Sequence, residues 1–169
     1  RTHFDGEGDP MRRSLFALGM IVALTSSLSA AADAGDIAII VNKENAVSDL
    51  AFRDVVRIFH LDRQYWEGGK RIYLVLRESG TEEKDVILKK VYKMDDQELK
   101  KFWLAKLYRE EIPAFPKTLG SNEAVKRFVS QASNAIGFID ASLADSSVKV
   151  LRIDGGLPGE QGYALSSGF

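Results

Sequence analysis

Four residues between a strand-like and a helix-like segment have the types and spacing needed to bind an anion. They lie in the stretch LRESGTEEKD, residues 76–85, where Arg77 precedes the small-residue loop Ser79-Gly80-Thr81. An arginine can donate two parallel hydrogen bonds to an oxyanion, and each hydroxyl group can donate one. A glycine lets the backbone approach the anion closely. We therefore predict a ligand site for a phosphate-like anion at Arg77, Ser79, Gly80 and Thr81.

The same loop can instead serve only to begin a helix. Ser79 and Glu82 have the S-x-x-E spacing of a capping box, in which both side chains accept hydrogen bonds from backbone N–H groups at the helix start. Glu82 and Glu83 also place two negative charges in the first turn. These charges stabilise the helix but oppose an incoming anion by roughly 0.3–1 kcal/mol each. The residues alone leave both interpretations open.

Other residues that could do chemistry are interpreted as structural. His60 lies at an apolar helix end, IFHLD, and the pair Asp95-Asp96 is typical of a helix N-cap. Gly120-Ser121, near Lys117, forms a second possible anion loop, for which ordinary capping by Ser121 is favoured. There is no cysteine and no visible cluster of metal ligands. The sequence therefore predicts no enzyme, no metal site and no cofactor.

The elements that must position the first loop are strands alternating with helices. Apolar and β-branched runs predict strands at 36–42, 71–77, 135–140 and 148–153. Apolar residues at helical spacing predict helices at about 51–60, 82–93, 95–109 and 121–132. The alternation predicts an α/β fold, a mixed β-sheet flanked by helices. In such folds ligands bind beyond the carboxyl ends of strands, at helix N-termini, which is where loop 77–81 falls. Residues 154–165 are predicted to be a surface tail.

The N-terminal residues indicate export. From Met11, two arginines precede an uninterrupted apolar run at residues 15–24, and small residues offer cleavage after Ala31, Ala32 or Ala34. This is the pattern of a secretory signal peptide over residues 11–34. A transmembrane helix needs about twenty apolar residues, twice this run. Residues 1–10 are interpreted as upstream or cloning-derived sequence, which leaves residues 35–169 as a single domain.

Composition limits the partners. The chain has 169 residues, of which 45% are hydrophobic, and this is enough for one domain with a core. Removing the three basic and four acidic residues within 1–34 leaves 20 of each sign. A neutral domain has no global basic field, so we expect no nucleic acid partner. Without cysteine there is no lipid-modified anchor, and we expect a periplasmic protein that is soluble after signal cleavage.

Several motifs, in their order and spacing, resemble the second lobe of the substrate-binding proteins of phosphate ABC transporters. These are Val56-Arg57-Ile58-Phe59, the turn containing Trp66, Arg77 with Ser79-Gly80-Thr81, and Ala135-Ile136-Gly137-Phe138. The resemblance covers residues 36–153. It implies a lobe of the type II periplasmic-binding-protein-like fold, with Arg77, Ser79, Gly80 and Thr81 as the phosphate contacts. The family loop is longer between its arginine and its Ser-Gly-Thr, whereas only Glu78 intervenes here.

Full-length members of the family have two lobes that close around the anion, and this chain is about half their length. The resemblance therefore indicates a chain of one lobe. We therefore expect a stand-alone relative that binds phosphate or a similar oxyanion weakly. An ABC permease, another protein or a second copy of the chain would complete the cleft. The alternative is a protein-interaction module that kept the fold and lost anion binding.

Overall fold

A five-stranded mixed sheet lies at the centre of the fold in the computed structural model, which describes residues 35–167. Within the described residues the chain forms seven strands: β1 (Ile37–Val41), β2 (Asp49–Leu50), β3 (Tyr73–Arg77), β4 (Lys117–Leu119), β5 (Ala135–Asp140), β6 (Lys149–Val150) and β7 (Arg152–Ile153). The main sheet has the order β4-β3-β5-β1-β6, and β2 pairs with β7 in a small parallel sheet. The region predicted as one strand at 148–153 is thus divided between two sheets.

Between residues 35 and 167, four α-helices flank the main sheet: α1 (Phe52–Phe59), α2 (Glu82–Ile87), α3 (Asp96–Tyr108) and α4 (Asn122–Gln131). A π-helical turn (Leu88–Tyr92) continues α2, and a short 3-10 turn (Ala141–Leu143) follows β5. The expected α/β fold with a mixed sheet between helices is confirmed.

The sheet is buried on both faces, which explains why β1 is apolar at every position. Ile37, Ile39 and Val41 lie in a core shared with α1, α2 and α3, whereas Ala38 and Ile40 lie in a second core covered by α4. Successive side chains of a strand point to opposite faces, so a strand covered on both sides needs no polar alternation. All five residues of β1 are buried.

The strand directions bring two loops to one edge of the sheet. β3 runs parallel to both β4 and β5, whereas β1 is antiparallel to β5. Parallel neighbours end on the same side, so the loop after β3 and the loop after β4 are adjacent. These loops lead into α2 and α4, and they are the two segments for which the sequence predicts anion-binding potential.

The segment 154–165 is not a surface tail, and that prediction is wrong. Tyr163 and Leu165 are buried in the main core, and the Leu165 carbonyl accepts a hydrogen bond from the Ile37 amide at 3.0 Å. The Tyr163 hydroxyl donates to the Ile37 carbonyl at 2.8 Å. Asp154 accepts from the Phe52 amide at 3.0 Å and so caps α1, whose own N-cap residue, Ala51, has no side chain able to do this.

Gly137, in the centre of β5, allows α4 to pack closely against the sheet. A Cβ atom at this position would stand 2.9 Å from Val125 Cγ1 and 3.4 Å from Val129 Cγ2, both on α4. The glycine of the AIGF motif therefore has a packing role that does not depend on any ligand.

Replacing Gly137 with alanine is expected to lower the free energy of unfolding by about 2 kcal/mol, because the new methyl group overpacks this contact. Chemical denaturation measures the change. Gly68→Ala is the matched control, since nothing lies within 4 Å of its added Cβ, and its effect should stay within about 0.5 kcal/mol. If Gly137→Ala were as stable as the wild type, the close-packing explanation would fail.

Within residues 35–167, no helix has both the length and the apolar character needed to cross a bilayer. Residues 1–34, which include the expected signal peptide, lie outside the described residues.

Candidate functional site

The candidate site lies at the shared carboxyl edge of β3 and β4. The Glu78 amide donates to the Leu119 carbonyl at 3.2 Å, which joins the start of one loop to the end of the neighbouring strand. A Cβ on Gly120 would stand 3.3 Å from Glu78 Oε2, so the Glu78 carboxylate lies beside the second loop. The structure thus brings both sequence-predicted loops together.

Arg77 is buried and its guanidinium group points towards a carboxylate. Nη2 lies 3.7 Å from Oε2 of Glu83, and Nη1 donates to the Leu119 carbonyl at 3.3 Å. Nε is buried and has no hydrogen-bond acceptor among the described residues. Asn122 Nδ2 also donates to Glu83. Most of the positive charge predicted to meet an anion is therefore balanced by a carboxylate of the protein.

Thr81, and not Ser79, is the N-cap of α2. Its hydroxyl oxygen accepts from the Lys84 amide at 3.4 Å, and its hydroxyl donates to the Glu78 carbonyl at 3.1 Å. The capping box predicted for Ser79 and Glu82 is wrong, because the residue three positions after the true cap is Lys84. A complete capping box instead begins α3, between Asp95 and Glu98.

Ser79 connects the loop to α3. Its hydroxyl donates to Oδ1 of Asp96 at 2.7 Å, and Lys100 Nζ lies 2.9 Å from Oδ2 of the same residue. The hydrogen bond from Ser79, followed by the one from Lys100, holds the pKa of Asp96 below its usual value. Asp96 therefore stays ionised at neutral pH and holds the Ser79 side chain in place.

Unused backbone donors remain in the loop. Among the described residues, the N–H groups of Ser79 and Gly80 donate to no backbone or side-chain acceptor, whereas residues 79–80 form a turn that directs the Thr81 N–H towards the Glu78 carbonyl. Ser79 and Gly80 are exposed, and Gly80 has a φ of 80°, in the region that favours glycine. Two consecutive free donors before a helix can bind an oxyanion, and the helix dipole contributes in the same direction.

The second loop is an ordinary helix start. Ser121 accepts from the Ala124 amide at 3.0 Å, and the Lys117 Nζ lies over the Phe128 ring, 5.2 Å from its centroid. His60 likewise has the structural role expected from the sequence: its ring packs against Tyr92 and Phe102, and Nδ1 lies 2.9 Å from the Val56 carbonyl.

Next to the first loop lies a cavity of about 470 Å³, whose lining includes Arg77, Ser79 and Lys84. Lys84 is only 4% exposed, and among the described residues it has no side-chain hydrogen bond or ion pair. Burial lowers the pKa of its amine, and nearby Asp96 only partly opposes this effect. The sequence interpretation missed Lys84, although its spacing from Ile87, Leu88 and Val91 already puts it on the apolar face of the helix.

Replacing Lys84 with methionine is expected to raise the free energy of unfolding by about 1 kcal/mol at neutral pH, because the variant removes a charged amine that burial desolvates and Asp96 only partly compensates. The folded pKa is lowered from 10.5, so the unfolded chain binds this proton more tightly. The loss of stability caused by the charged Lys84 amine is complete below the pKa of Lys84 in the folded protein, and it disappears above the pKa of Lys84 in the unfolded chain. The difference between variant and wild type should therefore narrow as the pH rises towards 10.5.

Denaturation at several pH values measures this difference. Lys101→Met, on the exposed side of α3, should change stability by less than about 0.5 kcal/mol at every pH. A less stable Lys84→Met protein, or a difference that does not change with pH, would show that the amine has a partner in the folded protein.

Several solved structures share this fold. One is a protein from Clostridium perfringens assigned as a phosphate ABC transporter substrate-binding protein, with bound phosphate. Its TM-score is 0.60 and its sequence identity 24%, and the match covers 74% of this chain and 48% of that protein. An ABC-type phosphate transport receptor from Vibrio cholerae has a TM-score of 0.58 and 19% sequence identity, and the match covers 73% of this chain and 48% of the receptor. PstS from Borrelia burgdorferi has a TM-score of 0.58 and 15% sequence identity, and the match covers 73% of this chain and 49% of PstS.

The resemblance to one lobe of such proteins, expected from the sequence, is confirmed at the level of the fold. This chain spans about half the length of these proteins. No protein-family model matches the chain, and no curated protein matches it significantly in sequence.

Proposed function

We propose that this protein is an exported, single-lobe protein of the substrate-binding type, which binds phosphate or a similar oxyanion weakly at loop 77–81. The observation that carries the proposal is the pair of free N–H groups at Ser79 and Gly80, in the turn that leads into Thr81. They lie at the carboxyl edge of a lobe whose fold matches one half of phosphate-receptor structures. Arg77 lies directly before them, at the end of β3.

The contacts support a low affinity. The Ser79 hydroxyl is bonded to Asp96, the Thr81 hydroxyl caps α2, and Arg77 is paired with Glu83. Even four donors at roughly 1.5 kcal/mol each would give a dissociation constant no lower than tens of micromolar. Solvent access and the negative charge of the exposed Glu82 raise the dissociation constant further. We expect affinity in the high-micromolar to millimolar range until a second lobe-like wall closes the site.

Calorimetric titration with phosphate and with sulfate tests the proposal, using Glu83→Gln beside wild type. This substitution removes the carboxylate that holds the Arg77 guanidinium. Glu82→Gln is the matched control, because it removes the same charge from an exposed neighbour with no ion pair to any residue between 35 and 167. We expect saturable binding to wild type, and binding to Glu83→Gln that is tighter by about tenfold, against about twofold for the control. The absence of binding to all three proteins below about 10 mM would overturn the proposal.

We further propose that the protein acts in the periplasm, as a binding protein and not an enzyme, with an ABC permease or a second protein completing the cleft. Expression of the whole chain in a two-membrane bacterium should release the protein by osmotic shock. Mass spectrometry should find an N-terminus after Ala31, Ala32 or Ala34. Recovery of the uncleaved chain from the cytoplasm alone would contradict export.

A protein-interaction role is the second candidate. Its specific support is that carboxylates of the chain, Glu83 and Asp96, already hold Arg77 and Ser79. Phe115 and Leu104 expose large apolar side chains beside the loop. Light scattering after size exclusion separates the two functions, since this role predicts a dimer or a stable complex that forms without phosphate.

A further inference from the structure

We propose that the cavity beside the loop is a separate binding site for a small organic monoanion with an apolar body, such as an arylalkyl carboxylate. The cavity lies between the end of β3, the first turn of α2, α3 and the segment preceding β4. Its volume of about 470 Å³ is within the range of roughly 300–1,000 Å³ that is usual for small-molecule sites. This inference does not rest on the proposed phosphate binding.

The apolar side of the cavity is built from both core and surface residues. Leu76, Leu99 and Trp103 are buried, whereas Leu104 and Phe115 are 43% and 50% exposed. An aliphatic or aromatic group that entered the cavity would contact all of these side chains. It would also remove the two exposed side chains from water, which favours binding. Inorganic phosphate has no apolar surface with which to use this part of the cavity.

The polar side of the cavity carries two cationic donors that the protein does not satisfy. The Lys84 residue is only 4% exposed, and no hydrogen bond or ion pair of its amine is found between residues 35 and 167. The amine lines the cavity and is not fully enclosed, so a ligand there can reach it. Arg77 Nε is buried and has no acceptor within the same range. A fully buried donor without an acceptor, as at Arg77 Nε, is costly and uncommon in folded proteins, and such donors concentrate at functional sites.

The neighbouring carboxylates do not supply the lacking acceptor. Asp96 is already engaged by the Ser79 hydroxyl at 2.7 Å and by Lys100 at 2.9 Å. Glu83 is engaged by Arg77 and Asn122. The Lys84 amine is thus the one charge of the lining that a ligand headgroup would neutralise. A single negative charge matches it, and a second would meet Glu78 and Asp96, which line the same cavity.

The test compares two probes of nearly equal shape, phenylacetate and the uncharged phenylacetamide, by calorimetry or by protein-observed NMR. Wild type should bind phenylacetate about tenfold or more tighter than the amide, because only the carboxylate pairs with the amine. Lys84→Met should bind both probes equally and weakly. Lys101→Met, which lies on α3 outside the cavity, should behave like wild type. Leu104→Ser should weaken both probes together.

Equal binding of the two probes to wild type would overturn the proposal, as would unchanged phenylacetate binding in Lys84→Met, or the absence of binding to wild type below about 10 mM. Denaturation of Lys84→Met establishes that the variant is folded. Inorganic phosphate, titrated separately, keeps the two proposals distinct. Loss of phosphate binding alone removes the proposed function, whereas loss of phenylacetate discrimination alone removes this inference.

Discussion

Replacing Arg77 with methionine is expected to lower the free energy of unfolding by about 3 kcal/mol, the largest loss expected for any charged residue at the site. The side chains of Arg77 and Glu83 are only 7% and 13% exposed. Removing the guanidinium leaves the Glu83 carboxylate without its cation and the Leu119 carbonyl without a donor. Methionine retains most of the buried aliphatic volume, so the loss reports on the charge and the hydrogen bond.

A matched surface pair provides the control. Arg57 and Asp54 are separated by the same 3.7 Å, but the Arg57 side chain is 59% exposed. Arg57→Met should therefore cost less than about 0.5 kcal/mol. The double variant Arg77→Met/Glu83→Gln should recover part of the loss, because the unpaired charge is gone. Equal losses for Arg77→Met and Arg57→Met would mean that burial does not strengthen the pair.

Replacing Leu165 with alanine is expected to lower the free energy of unfolding by about 3 kcal/mol, because the substitution opens a cavity in the main core. Leu165 is fully buried although it lies close to the end of the chain. Its carbonyl also accepts from the Ile37 amide, so the segment is attached to β1 by both packing and hydrogen bonding. Thermal or chemical denaturation measures the effect.

Leu143→Ala is the control for this substitution, because Leu143 is 42% exposed and its loss should cost less than about 0.5 kcal/mol. If Leu165→Ala unfolded at the same denaturant concentration as Leu143→Ala, residues 154–167 would be a loosely attached tail after all.

The fold was predictable because its signals are local. The run of five apolar residues in β1 indicates a strand covered on both faces, and the helices follow from apolar residues at helical spacing. The position of loop 77–81 at a carboxyl edge follows from the alternation of strands and helices. The burial of the final segment was not predicted, because the segment consists mainly of polar residues and glycines. Two of its side chains, Tyr163 and Leu165, attach it to the core.

The details of the site were less predictable, because they depend on contacts between distant residues. Ser79 has the spacing of a cap, but its hydroxyl is bonded to Asp96, seventeen positions away in the sequence. The direction of Arg77 is set by Glu83 on α2 and by the Leu119 carbonyl on β4. No spacing rule distinguishes an arginine that faces a loop from one that faces a carboxylate in the next helix.

The central claim is that the N–H groups of loop 77–81 bind an oxyanion. The most direct measurement is a phosphate titration followed by the amide ¹H–¹⁵N NMR signals of Ser79, Gly80 and Thr81. We predict that these three signals shift together and saturate with one dissociation constant between about 0.1 and 10 mM. The amides of Ala124 and Val125, which already donate to Ser121 at the start of α4, should not follow that curve. Signals of residues 79–81 that stay unchanged, or that shift in proportion to ionic strength without saturating, would contradict the account.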